Sequence, residues 1–159
     1  MTARVGIGAD VHAFDAERRL VLGGVEIPDH PGLAGHSDAD VVAHAVMDAL
    51  LGAAALGDLG THFPNDPQWR DASSMDMLRD VVALLREHGW APNNVDVTVI
   101  AERPRLSPYV AEIRTRLAAA LQLEESSLSF KSTTSDGLGF TGRGEGVAAL
   151  AVATIRPLT

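Results

Sequence analysis

The chain contains no cysteine. That excludes disulfides, thiolate nucleophiles and cysteine zinc sites, so a transition metal here must be held by His, Asp or Glu. Aromatic residues are scarce, 4% against 46% hydrophobic residues overall, and the core must therefore come from Val, Leu, Ile and Ala. No apolar run reaches the roughly 18 residues that a membrane-spanning helix needs. The opening MTARVGIGADVHAF enters a strand pattern with no basic and apolar leader before it, and a soluble, cytoplasmic protein is the expectation. Basic residues are also in deficit, 13 against 21 acidic ones, for a net charge of −8. This argues against nucleic acid as a partner, and an anionic substrate would need metals or a few placed cations to offset the field. At 159 residues, without repeats or linkers, the chain fits one domain with a real core.

The richest stretch is HSDADVVAHAVMDALLGAAALGD, residues 36–58. Ser37 and Asp40 have the spacing of a capping box, which predicts a helix starting there. Asp40, His44 and Asp48 then recur at i, i+4 and i+8, one stripe of that helix. An isolated His on an apolar helix is ordinarily a satisfied core or surface group, but an imidazole with a carboxylate one turn away is also the usual setting of a metal ligand. Residues 4–12, RVGIGADVH, alternate as a strand, with Val5, Ile7, Ala9 and Val11 on one face and Gly6, Gly8, Asp10 and His12 on the other. Asp10 and His12 thus project side by side, spaced to grip one cation that a helix-borne His44 would complete. Alone, a DxH pair is a weak signal.

LVLGGVEIP, residues 20–28, reads as a hairpin turning at Gly23 and Gly24. His30, in the Pro- and Gly-rich loop that follows, has no periodic partner and is expected in solvent. Residues 56–74 are dominated by turn formers and form a long loop of the kind that is usually functional or mobile. Asp58, Asn65 and Asp66 in it are candidate substrate contacts, with His62 read as a surface residue. Ser73 and Asp76 repeat the capping spacing ahead of a core helix over 75–88. Residues 94–102 form a strand, and Ser107 before Pro108 predicts a helix to about Leu121, leaving a turn at 101–107 whose backbone groups suit a base edge. Strands are expected at 128–133 and 147–155, the second apolar enough to be central in its sheet. Between them SDGLGFTGRGEG carries five glycines in ten residues. Gly137, Gly139 and Gly142 satisfy GxGxxG, but no helix and crossover of the dinucleotide type fit after it. Thr133, Thr134, Ser135, Asp136 and Arg143 offer hydroxyls, a carboxylate and a cation suited to phosphates. The expected fold is mixed α/β of the α+β type, a mixed sheet with helices on one face.

DVHAF at 10–14, HSDADVVAHAVMDALLGAAALGDLG at 36–60, FPNDP at 63–67, NVDVTVIAERPR at 94–105 and TTSDGLGFTGRGEG at 133–146 together resemble the 2-C-methyl-D-erythritol 2,4-cyclodiphosphate synthase family, nearly end to end and in motif order. The resemblance implies conversion of 4-diphosphocytidyl-2-C-methyl-D-erythritol 2-phosphate to the cyclic diphosphate and CMP, in the non-mevalonate route to isoprenoids. It implies that Asp10, His12 and His44 bind Zn2+ or another divalent transition metal, and that Mg2+ or Mn2+ accompanies the substrate phosphates with Asp136 as its ligand. His36 and Ser37 match positions beside the phosphates, His36 and Thr134 match positions that stabilise the transition state, and Val11 is a further candidate substrate contact. Asp58, Leu59, Gly60, Phe63, Pro64, Asn65 and Asp66 match the methylerythritol side. Ala101, Glu102, Arg103, Pro104, Arg105, Leu106 and Ser107, with Thr133, Thr134, Ser135 and Asp136, match a cytidine diphosphate pocket. The family is a homotrimer with sites between subunits, and Phe140, Arg143 and Glu145 are candidates to line a central channel, although core packing and a salt bridge explain them equally well.

Two departures are visible. Asp136 stands where the family most often has Glu, so direct coordination and coordination through water are both open. FPNDP is one residue shorter than in some members, which leaves open whether Asn65 or Asp66 meets the diol. The implied reaction needs no protein nucleophile, since a phosphate monoester with a second pKa near ~6 is largely dianionic at neutral pH. A metal-dependent phosphodiesterase and a phosphate-binding regulatory protein are the alternatives that the same residues allow.

Overall fold

The computed structural model describes residues 2–158. Among these, strand β1 (Arg4–Asp15) is followed by a hairpin of β2 (Leu20–Leu22) and β3 (Val25–Ile27), then β4 (Gly32–Leu33), helix α1 (Val41–Ala54) and the short α2 (Leu59–His62). Helix α3 (Ser74–Glu87), β5 (Trp90–Ile100), α4 (Val110–Leu121), β6 (Leu128–Thr133), the short α5 (Gly139–Gly142) and β7 (Gly146–Pro157) complete the order. The main sheet runs β4-β1-β7-β5-β6 and is mixed: β7 is antiparallel to both β1 and β5, and β5 is parallel to β6. The apolar C-terminal strand is central, as its sequence predicts.

The face of β1 that carries chemistry is the one turned inward. Gly6 and Gly8 lie against α1 so closely that a Cβ on Gly6 would fall 2.0 Å from the Ala49 carbonyl oxygen, and one on Gly8 2.0 Å from that of Ala45. Strand and helix meet backbone to backbone, which carries Asp10 and His12, further along the same face, up to His44. The apolar partners Val5, Ile7 and Val11 point away from the helices and are 66%, 69% and 54% exposed; Leu150 and Val152 beside them on β7 are exposed too. Alternation identified the two faces of the strand, but it does not say which one is buried, and here the more apolar face is outside. The core lies between the other face and the helices, filled by residues such as Val46, Leu50, Leu78, Leu85, Val97, Leu117 and Ile155.

Several local expectations change. Helix α1 starts four residues after Ser37, with Asp40 as its cap accepting from the amides of Val42 and Ala43. The same carboxylate also accepts from Gly23 and Gly24, so it ties the hairpin turn to the helix start, while Ala39 just before it has φ 57° and cannot belong to the helix. Burial pushes Asp40 up to about 6, aided by Asp38 and opposed by the amide donors. Ser107 makes no side-chain cap; a single 3-10 turn, Ser107–Tyr109, leads into α4. Strand β5 starts at Trp90, earlier than its alternation suggests, and accommodates Pro92 at an irregularity between Pro92 and Asn94, the kind of position where a missing N–H is tolerated. The 56–74 stretch holds α2 and a 3-10 turn at Pro67–Trp69. His30 is half-buried, its ring edge-on to Phe14 at 5.0 Å.

Candidate active site

Strand β1 brings Asp10 and His12 to one side of a cavity, and α1 brings His44 to the same point. Asp10 Oδ2 lies 2.8 Å from His12 Nε2 and 3.0 Å from His44 Nδ1, and the two imidazole nitrogens are 3.2 Å apart. His12 Nδ1 sits 2.6 Å from the Ala34 carbonyl, which can only accept. The neutral ring therefore keeps its proton on Nδ1, which leaves Nε2 to face Asp10 and His44, offering a lone pair to a cation or, when the ring is protonated, donating to Asp10. Two imidazole nitrogens and a carboxylate converge with their ligand atoms within 4.8 Å of one another, an arrangement that needs a proton or a metal cation among them, and a His2Asp set suits zinc or a similar divalent ion. Burial by itself would raise Asp10, but the hydrogen bonds to His12 and His44 outweigh it and hold the carboxyl well below the usual range. His12 moves up for the matching reason: burial opposes the charge, and the Asp10 hydrogen bond and charge outweigh it.

The cavity, about 220 Å³, is lined further by His36, Ser37, Leu59, Gly60, Phe63, Asn65, Trp69 and Met77. His36 is held by its Nε2 on the Asp66 carbonyl at 2.6 Å. Arg18 donates to the carbonyls of Gly35 and Ser37 on either side of it, and the His36 carbonyl accepts from the Asp71 amide. Asp58 caps α2 through the Thr61 amide and hydroxyl. Of the two loop candidates, Asn65 lines the cavity and Asp66 contributes its carbonyl to His36. Pro64 is exposed outside the cavity lining. The Val11 side chain lies on the outer face of the sheet.

Asp48 is not the partner of His44 that its i+4 spacing suggests. Its carboxylate accepts from the Leu59 amide at 2.7 Å and steadies the start of α2, while the outer nitrogen of His44 meets Ser37 Oγ at 3.1 Å and Ser74 Oγ at 2.9 Å. Ser74, Arg18 and the Ala34 carbonyl carry no motif, and Asp38, though inside the 36–60 block, has no spacing that marks it. Each reaches the site across a long sequence separation, and only a buried serine beside a cap at Ser73 gives Ser74 any local mark.

A second cavity, about 430 Å³, lies where β5 and β6 end together; it is lined by Ala101, Glu102, Pro104, Arg105, Leu106, Ser107, Ser132, Thr133 and Thr134. Ile100 pairs with Thr133, so the loops 101–107 and 133–136 leave the carboxyl ends of two parallel strands, where open α/β sheets form ligand crevices. Glu102 joins the two loops by accepting from the Ser135 amide and hydroxyl and the Gly137 amide. Asp136, at φ 54°, points its amide to Thr134 Oγ1 at 3.3 Å. The two cavities share no lining residue, so within one chain Thr134 and Asp136 are not brought to His36 and the metal-binding cluster. Arg103 and Arg143 border a third hollow with Phe14 and His30. Arg143 pairs with Glu145, one of the alternatives open for them, and Phe140 is 39% exposed.

The fold thus sets a His2Asp cluster able to hold a metal ion on one side and a crevice at parallel strand ends on the other, the outline of a small mixed α/β enzyme. The YgbB family matches residues 3–156, and the chain belongs to that family. It is 59% identical to the 2-C-methyl-D-erythritol 2,4-cyclodiphosphate synthase of Symbiobacterium thermophilum over 95% of this chain and 97% of that one. It is 57% identical to the enzyme of the same name from Salinibacter ruber, over 96% and 98%. Among solved structures, the IspF CDP complex of Plasmodium falciparum superposes with a TM-score of 0.85 at 32% identity, covering 99% of this chain and 97% of that one. The bifunctional IspDF of Campylobacter jejuni superposes at 0.95 with 39% identity, this chain spanning 43% of its length.

Proposed function

We infer that this chain converts 4-diphosphocytidyl-2-C-methyl-D-erythritol 2-phosphate to 2-C-methyl-D-erythritol 2,4-cyclodiphosphate and CMP. The observation that carries this reading is the Asp10, His12 and His44 cluster, in a cavity shared with His36 and Ser37, in a chain of this family. In the reaction an oxygen of the 2-phosphate bonds to the β-phosphorus. The bond from that phosphorus to the oxygen bridging it to the α-phosphorus breaks, and CMP leaves with that oxygen. No water is consumed and no protein nucleophile is needed. The chain's task is to fold the substrate so that the two phosphates meet, worth up to about 7 to 11 kcal/mol in favourable cases, and to offset their charge.

Asp10, His12 and His44 would hold a divalent ion, zinc being the natural fit to two imidazoles and a carboxylate, and that ion would supply charge neutralisation at the β-phosphate. Ser37 and His36 line the same cavity, where His36, fixed by Asp66 and the Arg18 clamp, presents its ring to a phosphate oxygen. Leu59, Gly60, Phe63 and Asn65 enclose the sugar-like chain. The crevice of residues 101–107 and 133–136 takes the cytidine diphosphate, with Thr134 toward the leaving phosphate and Asp136 as the ligand for magnesium or manganese.

Because the two cavities lie apart in one chain, we propose a homotrimer in which the metal side of one subunit meets the nucleotide side of the next. The outward apolar stripe of Val5, Ile7, Val11, Leu150 and Val152 supports this, being a surface that a further copy would cover. The multiply charged substrate and product make the cytoplasm the proposed compartment. Incubation of the protein with Mg2+ and the cytidyl substrate, followed by phosphorus NMR, tests the function. The expected result is cyclic diphosphate and CMP in equal amounts from the wild type and none from His44→Ala. A linear phosphate product, or turnover in His44→Ala, would refute it.

A further inference from the structure

Behind the Asp10, His12 and His44 cluster, the outer nitrogen of His44 enters a line of hydrogen bonds that leads away from the cavity. His44 Nε2 is 2.9 Å from Ser74 Oγ, and the Ser74 hydroxyl in turn contacts Asp38 Oδ1. Both Ser74 and His44 are buried, at 0% and 7% exposure. A carboxylate can only accept, so the hydroxyl proton of Ser74 is committed to Asp38. Ser74 Oγ therefore turns a lone pair to the imidazole, which must place its own proton on Nε2. That leaves the Nδ1 lone pair of His44 free on the side where Asp10 and His12 converge. Asp38 is itself fixed by the amides of Ser74 at 3.0 Å and Asp40 at 3.2 Å. Ser37 Oγ also approaches His44 Nε2, at 3.1 Å, but it has only the Ala39 amide and the Ser74 hydroxyl oxygen behind it and no carboxylate.

We propose that Asp38 is a positioning residue for the metal site, acting through Ser74 to fix the tautomer and orientation of His44 and to make its inner nitrogen a stronger donor. It acts at two removes, and its sequence position, between the Ser37 and Asp40 of the apparent capping box, conceals the role. The proposal rests on the reading that Asp10, His12 and His44 hold a divalent ion. It adds that the third ligand is set by a carboxylate outside that group, in the manner of the carboxylate–histidine pairs common behind metal sites but with a serine interposed.

Cobalt(II) is the probe. Metal-free wild type, Asp38→Asn, Ser74→Ala and Ser37→Ala are titrated with Co2+, with visible absorption reporting affinity and coordination and circular dichroism reporting folding. Co2+ binding is expected to weaken by about 10- to 100-fold in Ser74→Ala, which removes the outer partner, and in Asp38→Asn, which removes the charge behind it and puts an NH2 where an oxygen accepts the Ser74 amide. Ser37→Ala removes a hydrogen-bond partner of His44 but no route to a carboxylate, and should weaken Co2+ clearly less than Ser74→Ala does. In the Co2+-loaded protein the shifted, exchangeable Nε2–H resonance of His44 should exchange with solvent faster in Ser74→Ala than in wild type. Equal affinity and exchange in wild type, Asp38→Asn and Ser74→Ala would overturn the proposal, as would a Ser37→Ala defect as large as that of Ser74→Ala. Failure of the wild type to take up Co2+ would overturn the metal reading, and this positioning role with it.

Discussion

The two cavities are held in different ways. Around Asp10, His12 and His44, the polar atoms are fixed by elements packed backbone against backbone, and the ligands' outer nitrogens end on the Ala34 carbonyl and the Ser74 hydroxyl. Around 101–107 and 133–136 the framework is two strand ends and their loops, with Thr133, Thr134 and Asp136 partly or largely exposed and Glu102 as the main tie between the loops. The first arrangement is preorganised within one chain, as tight metal binding needs. The second has a floor but little wall, and fits a ligand that is enclosed only when another surface is added. The difference follows from chemistry: a small cation demands donor atoms placed to tenths of an ångström, whereas a nucleotide can be read by backbone groups along a flexible edge.

Gly8→Ala should give the largest break in this comparison. Its Cβ would meet the Ala45 carbonyl oxygen at 2.0 Å and the Ala49 amide nitrogen at 2.7 Å, both backbone, so α1 must move away from β1. Overpacking of this kind costs about 1 to 3 kcal/mol, and the upper end is expected because no side chain can yield. His44 moves with the helix. Urea unfolding should show the lost stability, and Zn2+ titration a strongly weakened site. Unchanged values for both would mean that the close approach of strand and helix is not what builds the metal end.

Glu102→Ala sharpens the comparison from the other side. One carboxylate oxygen serves three donors there, and hydrogen bonds to a charged group contribute about 1.5 to 3 kcal/mol when buried. Partial exposure reduces this, so CDP affinity, read by calorimetry, should fall roughly tenfold, or about 1.4 kcal/mol. Zn2+ affinity should not change. A parallel loss of Zn2+ binding would show that the two ends are one cooperative unit.

How much of this was legible follows from how local each signal is. A period of two placed Asp10 beside His12, and the helical stretch supplied His44, because both patterns lie within a few residues. The Gly6 and Gly8 face opposite Ala45 and Ala49 was also in the sequence, as small residues at matched spacing, but nothing local pairs that strand with that helix. The cap moved from Ser37 to Asp40 because the Gly23 and Gly24 amides and the left-handed Ala39 are tertiary facts. Asp38 and Ser74 lie 36 residues apart in sequence, and their contact exists only once α3 packs beside the start of α1.

Asp48→Asn should have the smallest effect, and it tests which neighbour His44 uses. If helical spacing decided, this change would weaken the metal by about 10- to 100-fold. The geometry gives His44 to Ser74 instead, and the side-chain carbonyl of the introduced asparagine could still accept from the Leu59 amide, so Zn2+ affinity should remain within about threefold. Stability should respond in the opposite sense to that of a lost ion pair. Burial, with help from the Asp58 and Asp10 charges, raises the Asp48 carboxyl above its ordinary value against the pull of the Leu59 amide. A raised carboxyl favours the folded state below its unfolded pKa of about 3.9, and that advantage is lost as pH rises through the folded value. The neutral amide has no such loss. Asp48→Asn should therefore gain on the wild type as pH rises from about 4 to about 7, a trend that chemical unfolding at several pH values would reveal. A variant that instead lost ground toward neutral pH would show that the Asp48 charge is needed in the folded protein and return it to the neighbourhood of the metal.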